Sequence, residues 1–95
     1  MVDHSIAGKT VLIAGGGKNL GGLLARDLAK HGASAVVIHY NSAASKAEAD
    51  ATVQAVQQLG AKAVALQGDL TRAAAVEKLF ADAVAAVGRP DIAIN

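Results

Sequence analysis

The segment that most restricts the fold is a short apolar run that ends in three consecutive glycines. Val11–Ile13 leads through Ala14 into Gly15–Gly17, and leucines then recur at helical spacing as far as Lys30. A continuous apolar run of this length is typical of a strand buried on both faces, as in parallel sheets covered by helices. We therefore expect a buried strand, a sharp glycine turn and a helix.

The same order of patterns repeats along the chain. The expected strands lie at 9–14, 35–40, 63–66 and 92–95, and helical spacing of apolar residues separates each strand from the next. Alternating strands and helices with short connections predict a parallel sheet with right-handed crossovers. The expected strand order is 3-2-1-4, with the first two helices on one face of the sheet and the third on the other.

Local signals predict where the helices begin and end. Ser45 and Glu48 have the spacing of a capping box, Thr71 is the expected N-cap of the third helix, and Gly32 stands where a glycine would end the first. Each helix also has an expected apolar face. The face of the first helix is Leu20, Leu24 and Leu28, with Leu23 beside them, and that of the third is Val76, Leu79, Phe80, Ala83, Val84 and Val87.

Composition excludes several classes of function. Nine basic and eight acidic residues leave a net charge of +1, so we expect neither nucleic acid nor an anionic membrane as a partner. Cysteine is absent and the three histidines lack paired ligand spacing, so no metal site is expected. No apolar run approaches the roughly 20 residues that span a bilayer, and we expect a cytoplasmic protein.

The glycine turn itself indicates a phosphate site. It does not satisfy G-x-G-x-x-G, because Leu20 stands where the third glycine would be, and it lacks the Lys-Ser/Thr end of a P-loop. Glycines nevertheless let a backbone approach a pyrophosphate, and the first amides of a helix attract negative charge.

With its neighbours, the turn resembles that of the short-chain dehydrogenases/reductases. Gly15 and Gly21 match the first and third glycines of the family's Thr-Gly-x-x-x-Gly-x-Gly pattern, while Asn19 replaces the second glycine and Ala14 replaces the threonine. Asp69-Leu70 is similar to the family's adenine-contacting pair. Gly88–Asp91 resembles the link before the fourth strand, and Ile94-Asn95 resembles the start of the Asn-Asn-Ala-Gly segment. The resemblance covers the whole chain.

The end of the second strand favours NADP(H) over NAD(H). A carboxylate there usually accepts bonds from the ribose 2′-hydroxyl of NAD, but this chain has His39-Tyr40-Asn41-Ser42, and Lys18 can supply a positive charge. The expected cofactor-binding residues are Gly15, Gly17, Lys18, Asn19, Leu20, Gly21, Tyr40, Asn41, Ser42, Asp69, Leu70 and Asn95.

The resemblance implies an NADP(H)-dependent carbonyl reductase, similar to 3-oxoacyl-carrier-protein reductases. The family's catalytic Ser and Tyr-x-x-x-Lys do not occur here, since Ala44 stands four residues after Tyr40. We therefore expect residues 1–95 to be a single, truncated dinucleotide-binding (Rossmann) domain, a three-layer α/β half fold that is inactive alone and self-associates.

Two other functional classes fit parts of the sequence. A non-enzymatic mononucleotide-binding or self-associating βαβ module is the alternative, and the presence or absence of Ser and Tyr-x-x-x-Lys in the parent protein distinguishes the two. A receiver domain is set aside because glycines stand where its acidic pair would follow the first strand. His39 is expected to be a polar strand end and not an acid or base.

Overall fold

A computed structural model of the chain describes residues 6–15 and 19–94, and these form alternating strands and helices. In chain order the elements are β1 (Thr10–Ile13), α1 (Asn19–Lys30), β2 (Ala35–Tyr40), a 3₁₀ turn (Ala43–Ser45), α2 (Lys46–Gln58), β3 (Lys62–Gln67), α3 (Ala73–Val87) and β4 (Ile92–Ile94). The predicted order of elements is confirmed, and most predicted boundaries lie within one or two residues of those observed.

The strands form one parallel sheet in the order β3-β2-β1-β4, as the sequence predicts. Thr10–Ile13 lies beside Ala35–Ile38, and Val11–Ile13 lies beside Ile92–Ile94 on the other side. Every residue of β1 and β2 is buried. These two strands are covered on both faces, which explains their continuous apolar sequences.

Successive side chains of the central strands enter two separate cores. Val11, Ile13, Val36 and Ile38 pack with the inner faces of α1 and α2, whereas Leu12 and Val37 pack with Ala83 of α3. Alternation along a strand sends neighbouring side chains to opposite faces. The sheet is therefore the middle of three layers, with α1 and α2 on one side and α3 on the other.

Two of the predicted helix faces are only partly correct. Leu23 is 62% exposed, because α1 packs through Ala25, Leu28 and Ala29, and Leu23 lies about 140° around the helix from Leu28. Phe80 and Val84 are also exposed on α3. The buried residues of that helix are Leu79 and Ala83, and Phe80 and Val84 each follow one of them by one position, about 100° around the helix.

Ser45 is the N-cap residue of α2, as predicted, but without the expected capping bond, and the predicted N-cap of α3 is wrong. The 3₁₀ turn places Ser45 in a helical conformation, with φ −93° and ψ 0°, so its side chain cannot cap α2 from an extended backbone, and it makes no capping hydrogen bond. Arg72, not Thr71, occupies the N-cap position of α3, while the Thr71 hydroxyl donates to Asp69 instead. Gly32 is correctly predicted, since it follows α1 with φ +96°.

Asp91 joins the beginnings of β1 and β4. The amide of Thr10 donates to Oδ2 of Asp91 at 2.9 Å, and the amide of Asp91 donates to the carbonyl of Thr10 at 2.8 Å. This reciprocal pair satisfies polar groups at the amino ends of two neighbouring strands and helps to fix their register.

The two helices on one face approach each other closely at Gly22. A Cβ added to Gly22 in α1 would lie 2.9 Å from Oγ1 of Thr52 in α2. Thr52 is buried, and its hydroxyl donates to the carbonyl of Glu48 at 3.0 Å. A β-branched side chain held by such a bond has little freedom to move aside.

We therefore expect Gly22→Ala to destabilise the protein despite the better helix propensity of alanine. Overpacking of a close contact costs about 1–3 kcal/mol, against a gain of about 1 kcal/mol from replacing glycine within a helix. Urea unfolding should show a net loss of about 1 kcal/mol for the single variant. Adding Thr52→Ala should abolish the loss, whereas Thr52→Val should not, since its methyl group occupies the same space. Equal stability of Gly22→Ala and wild type would contradict this account.

Candidate functional site at the carboxyl ends of the strands

The carboxyl ends of the parallel strands meet at one edge of the sheet. Gly15 follows β1, Asn41 follows β2, and Gly68 follows β3. The connections from β1 and β3 pass to opposite faces of the sheet, so a crevice opens beside β1 at this edge. Ligands of open α/β sheets bind in such crevices.

The glycine turn starts in a conformation that suits glycine. Gly15 has φ +73°, in the left-handed region that side chains rarely adopt, and a Cβ added there would meet nothing within 4 Å. The requirement for glycine at this position therefore comes from the backbone, and the space above the turn is open. Gly17 and Lys18 lie outside the described residues.

Helix α1 begins at Asn19, directly after the turn, and Gly21 lies in its first turn. The first amides of an α-helix have no partner within the helix and carry partial positive charge. The expected site residues Asn19, Leu20 and Gly21 therefore lie where backbone amides can bind an anionic group.

His39 makes contacts at this edge that sequence reasoning missed. Its side chain is 3% exposed, its Nδ1 lies 3.0 Å from the amide nitrogen of Gly15, and its Nε2 lies 2.6 Å from the carbonyl oxygen of Gly68. The available signal was a histidine inside the otherwise apolar strand Ala35–Tyr40, since a buried polar side chain requires partners.

The loop after β2 is open to solvent and contains no carboxylate. Asn41 and Ser42 are exposed, and the first acidic residue after the strand is Glu48, which is exposed within α2. Lys46 lies next to this loop, but its ammonium group donates to Asp50 at 2.7 Å. That hydrogen bond is the main reason why the pKa of Lys46 is raised.

Tyr40 does not project into this loop. It is 7% exposed and packs in the core between the sheet and helices α1 and α2. Of the residues expected to line the 2′-phosphate end, Asn41 and Ser42 are thus the accessible ones, whereas Tyr40 supports the strand end from beneath.

Asp69 is held in a tight turn after β3. Its Oδ1 accepts from the hydroxyl of Thr71 at 2.7 Å and from the amide of Thr71 at 3.0 Å. The hydroxyl bond, followed by the amide bond, lowers the pKa of Asp69. This carboxylate is exposed, so it is available at the same edge as Gly15 and Asn41.

Leu70 is 38% exposed and lines a small apolar cavity. The cavity measures about 160 Å³ and lies between β1, β4 and α3; it is lined by Leu12, Ala14, Leu70, Val76, Leu79, Phe80, Ala93 and Ile94. Ligand pockets usually exceed about 300 Å³, so a dinucleotide cannot occupy it. A shallow depression of about 440 Å³ is lined by residues of α1 alone and does not reach the strand ends.

Site residues predicted from sequence thus fall into three groups. Gly15, Asn41, Ser42 and Asp69 share one accessible edge, with the start of α1 beside them. Tyr40 packs in the core and Leu70 lines the apolar cavity, and Asn95 lies outside the described residues, as do Gly17 and Lys18. Across 6–15 and 19–94 there is no cluster of three or more metal-ligating side chains and no helix long and apolar enough to cross a membrane.

Comparison with known families decides the assignment. The sequence profile of the KR domain matches residues 9–93. The chain belongs to the KR domain family. It is the amino-terminal, cofactor-binding part of a short-chain dehydrogenase/reductase, as the resemblance implies.

Relatives of this KR domain include two proteins of known structure and an oxidoreductase. A protein from Burkholderia cenocepacia described as a dehydrogenase, with bound NADP, is 67% identical over 95% of this chain and 34% of its own, with a TM-score of 0.91. A blue fluorescent protein from a metagenomic library, in complex with NADPH, is 33% identical over 93% of this chain and 35% of its own, with a TM-score of 0.84. An uncharacterised oxidoreductase of Methylorubrum extorquens is 41% identical over 95% of this chain and 35% of its own. The chain thus spans about a third of the length of the proteins it matches.

The turn at Asp69 allows a direct test of the site's electrostatics. Replacing Thr71 by valine removes the hydroxyl that donates to Asp69, so we expect the pKa of Asp69 to rise towards that of an ordinary aspartate. Carboxyl titration by NMR measures this pKa. Thr71→Ser retains a hydroxyl and should leave it lowered, and an unchanged pKa in Thr71→Val would show that the hydroxyl is not its main cause.

Proposed function

We propose that this segment of the KR domain binds NADP(H) across the carboxyl ends of β1, β2 and β3, as one dinucleotide-binding domain of an oxidoreductase. The observation that carries the proposal is the end of β2, where exposed Asn41 and Ser42 stand in a loop without a carboxylate. A carboxylate at this position selects NAD by binding the ribose 2′-hydroxyl and repels a 2′-phosphate. The NADP and NADPH bound by two relatives support the same choice.

The pyrophosphate is assigned to the glycine turn and the start of α1. The open space above Gly15 lets a phosphate approach the backbone, and the amides at the start of α1, from Asn19 to Gly21, provide donors. Gly17 is assigned to the same turn, and Lys18 is assigned to the 2′-phosphate together with Asn41 and Ser42. The Gly15 amide already donates to His39, so Gly15 contributes the shape of the turn and not a phosphate donor.

The adenine is assigned to the segment after β3. Oδ1 of Asp69 is engaged by Thr71, while Oδ2 makes no hydrogen bond within the described residues and can accept from an exocyclic amine. Tyr40 supports this end of the site by packing beneath it, and Leu70 is assigned beside Asp69. Asn95 follows β4 in sequence and is assigned to the neighbourhood of the nicotinamide half.

When bound, NADPH supplies the hydride for reduction of a carbonyl carbon, and NADP⁺ accepts it from an alcohol. The residues of this chain bind and orient the cofactor. Tyr40 does not match the family's proton donor, because it is buried and Ala44 stands where the partner lysine would be. We therefore propose that residues 1–95 by themselves turn over no substrate, and that the full protein acts on a small carbonyl or alcohol compound.

Cofactor preference tests the assignment at the end of β2. We expect the protein to bind NADPH more tightly than NADH in a fluorescence titration. Asn41→Asp places a carboxylate of nearly the same shape in the loop and should weaken NADPH binding about tenfold, or about 1.4 kcal/mol, by repulsion of the 2′-phosphate. Gln54→Glu adds the same charge at an exposed position on α2 and should leave both affinities unchanged. Tighter binding of NADH by the unmodified protein would overturn the proposal.

Self-association of the isolated 95 residues is the other part of the proposal. Phe80, Val84 and Leu70 are exposed on the α3 side, and β4 is an edge strand of the described sheet. Exposed apolar surface beside an unpaired strand edge favours contact with a second copy.

Sedimentation velocity of the 95-residue chain should therefore show concentration-dependent association. Phe80→Ser combined with Val84→Ser should weaken it, whereas Leu23→Ser, a matched change of an exposed leucine on α1, should not. A monomer at every concentration would contradict this part of the proposal.

A further inference from the structure

His39 lies between the ends of β1 and β3 and is not among the residues proposed to bind NADP(H). It is the next-to-last residue of β2. Its two ring nitrogens bond to backbone groups that follow the neighbouring strands β1 and β3. One partner, Gly15, begins the glycine turn. The other, Gly68, directly precedes Asp69.

The partners determine which nitrogen of the ring carries the proton. The backbone amide of Gly15 can only donate, so Nδ1 must accept and cannot carry a hydrogen. The carbonyl of Gly68 can only accept, so Nε2 must donate. The contacts are satisfied together only by the neutral imidazole protonated at Nε2.

The contact with Gly15 meets a requirement of the sheet. The amide of Ala14 donates to Ile94 in β4 at 2.8 Å, and the amide of Gly15 faces the other way, towards β2. There the side chain of His39 accepts this bond, because the backbone ladder between β1 and β2 ends at Ile13 and Ile38. A part-buried amide left without a partner would favour rearrangement of the turn.

The contact with Gly68 joins the same ring to the other end of the proposed nucleotide site. The amide of Gly68 donates to the carbonyl of Tyr40 at 3.1 Å, so Gly68 is bonded to β2 through both its amide and its carbonyl. Asp69 follows immediately. The imidazole thus connects Gly15, at the start of the glycine turn, to Gly68, directly before Asp69, through two hydrogen bonds.

We infer that His39 is a positioning residue that holds the glycine turn and the Gly68–Asp69 segment at a fixed separation through its Nε2-protonated imidazole. The measurement of NADPH affinity that tests this inference rests on the proposed function, whereas the measurements of amide hydrogen exchange and imidazole nitrogen shifts do not. His39 does not touch the cofactor in this proposal. It acts by presenting the turn and Asp69 in the arrangement that a dinucleotide requires.

Two substitutions separate the two contacts. In His39→Asn the amide oxygen can occupy the position of Nδ1 and accept from Gly15, but the side chain is too short to reach Gly68. In His39→Gln the terminal amide can donate from the position of Nε2 to Gly68, but no acceptor faces Gly15. His39→Leu removes both contacts while retaining a side chain of similar size.

Hydrogen exchange of the Gly15 amide tests the turn without any cofactor. We expect this amide to be protected in the wild type and in His39→Asn and to exchange at least about tenfold faster in His39→Gln and His39→Leu. The imidazole nitrogen shifts of the wild type should be pyrrole-like at Nε2 and pyridine-like at Nδ1. The opposite tautomer, or equal protection of Gly15 in all four proteins, would overturn the inference.

NADPH titration then measures the consequence for binding. His39→Asn and His39→Gln, which each lose one of the two bonds, should bind about three- to tenfold more weakly than wild type, the factor expected from one lost hydrogen bond, and His39→Leu, which loses both, should bind more weakly than either. If the loss of NADPH affinity instead follows the loss of unfolding free energy in each variant, and not the hydrogen bonds that the variant keeps, His39 acts only through the stability of the core and the inference is overturned. If the wild type binds no NADPH at all, the proposed function fails, and amide exchange and nitrogen shifts alone decide the inference.

Discussion

The structure depends on the complete burial of its two central strands. All residues of β1 and β2 are buried, including Val36 and Val37, whose side chains enter opposite cores. Full burial of a valine contributes about 1.5–3 kcal/mol relative to its exposed state, so both faces must be covered by helices. Crossover helices make the strands parallel, and parallel strands bring all their carboxyl ends to one edge. The position of the site is therefore a consequence of how the core is built.

Polar groups at this edge fall into two sets, those bonded within the fold and those that face solvent. The amide of Gly15, the carbonyl of Gly68 and Oδ1 of Asp69 have internal partners. Asn41 and Ser42 are exposed, and the first amides of α1 have no partner within the helix. This division limits the number of groups that we propose to bind the cofactor, because a group that is already hydrogen-bonded gains little from a new partner.

Element order, strand order and the family were predictable from the sequence, because each follows from patterns several residues long. The alternation of apolar runs with helical spacing indicates parallel strands and crossover helices, and Gly32 ends α1 as expected. The predicted capping bond of Ser45 and the predicted N-cap at Thr71 were wrong because each depends on a few backbone angles. A 3₁₀ turn before α2 and the hydrogen bonds of Thr71 to Asp69 decide those angles locally. The exposure of Phe80 depends on which other elements pack against α3, and the periodicity of apolar residues within one helix does not predict those elements.

The site was predictable in its position but less so in the roles of its residues. Sequence spacing placed Gly15, Asn41 and Asp69 at strand ends, where they lie, but it could not show that Tyr40 is buried or that Gly15 bonds to a residue 24 positions away. Ala14 replaces the threonine of the family pattern, so this chain lacks a hydroxyl at the start of the turn. His39 offers a physical reason why this chain tolerates that loss, since an imidazole from the neighbouring strand binds the amide directly after Ala14. A turn held from β2 and β3 in this way does not need a side chain of its own to keep its shape.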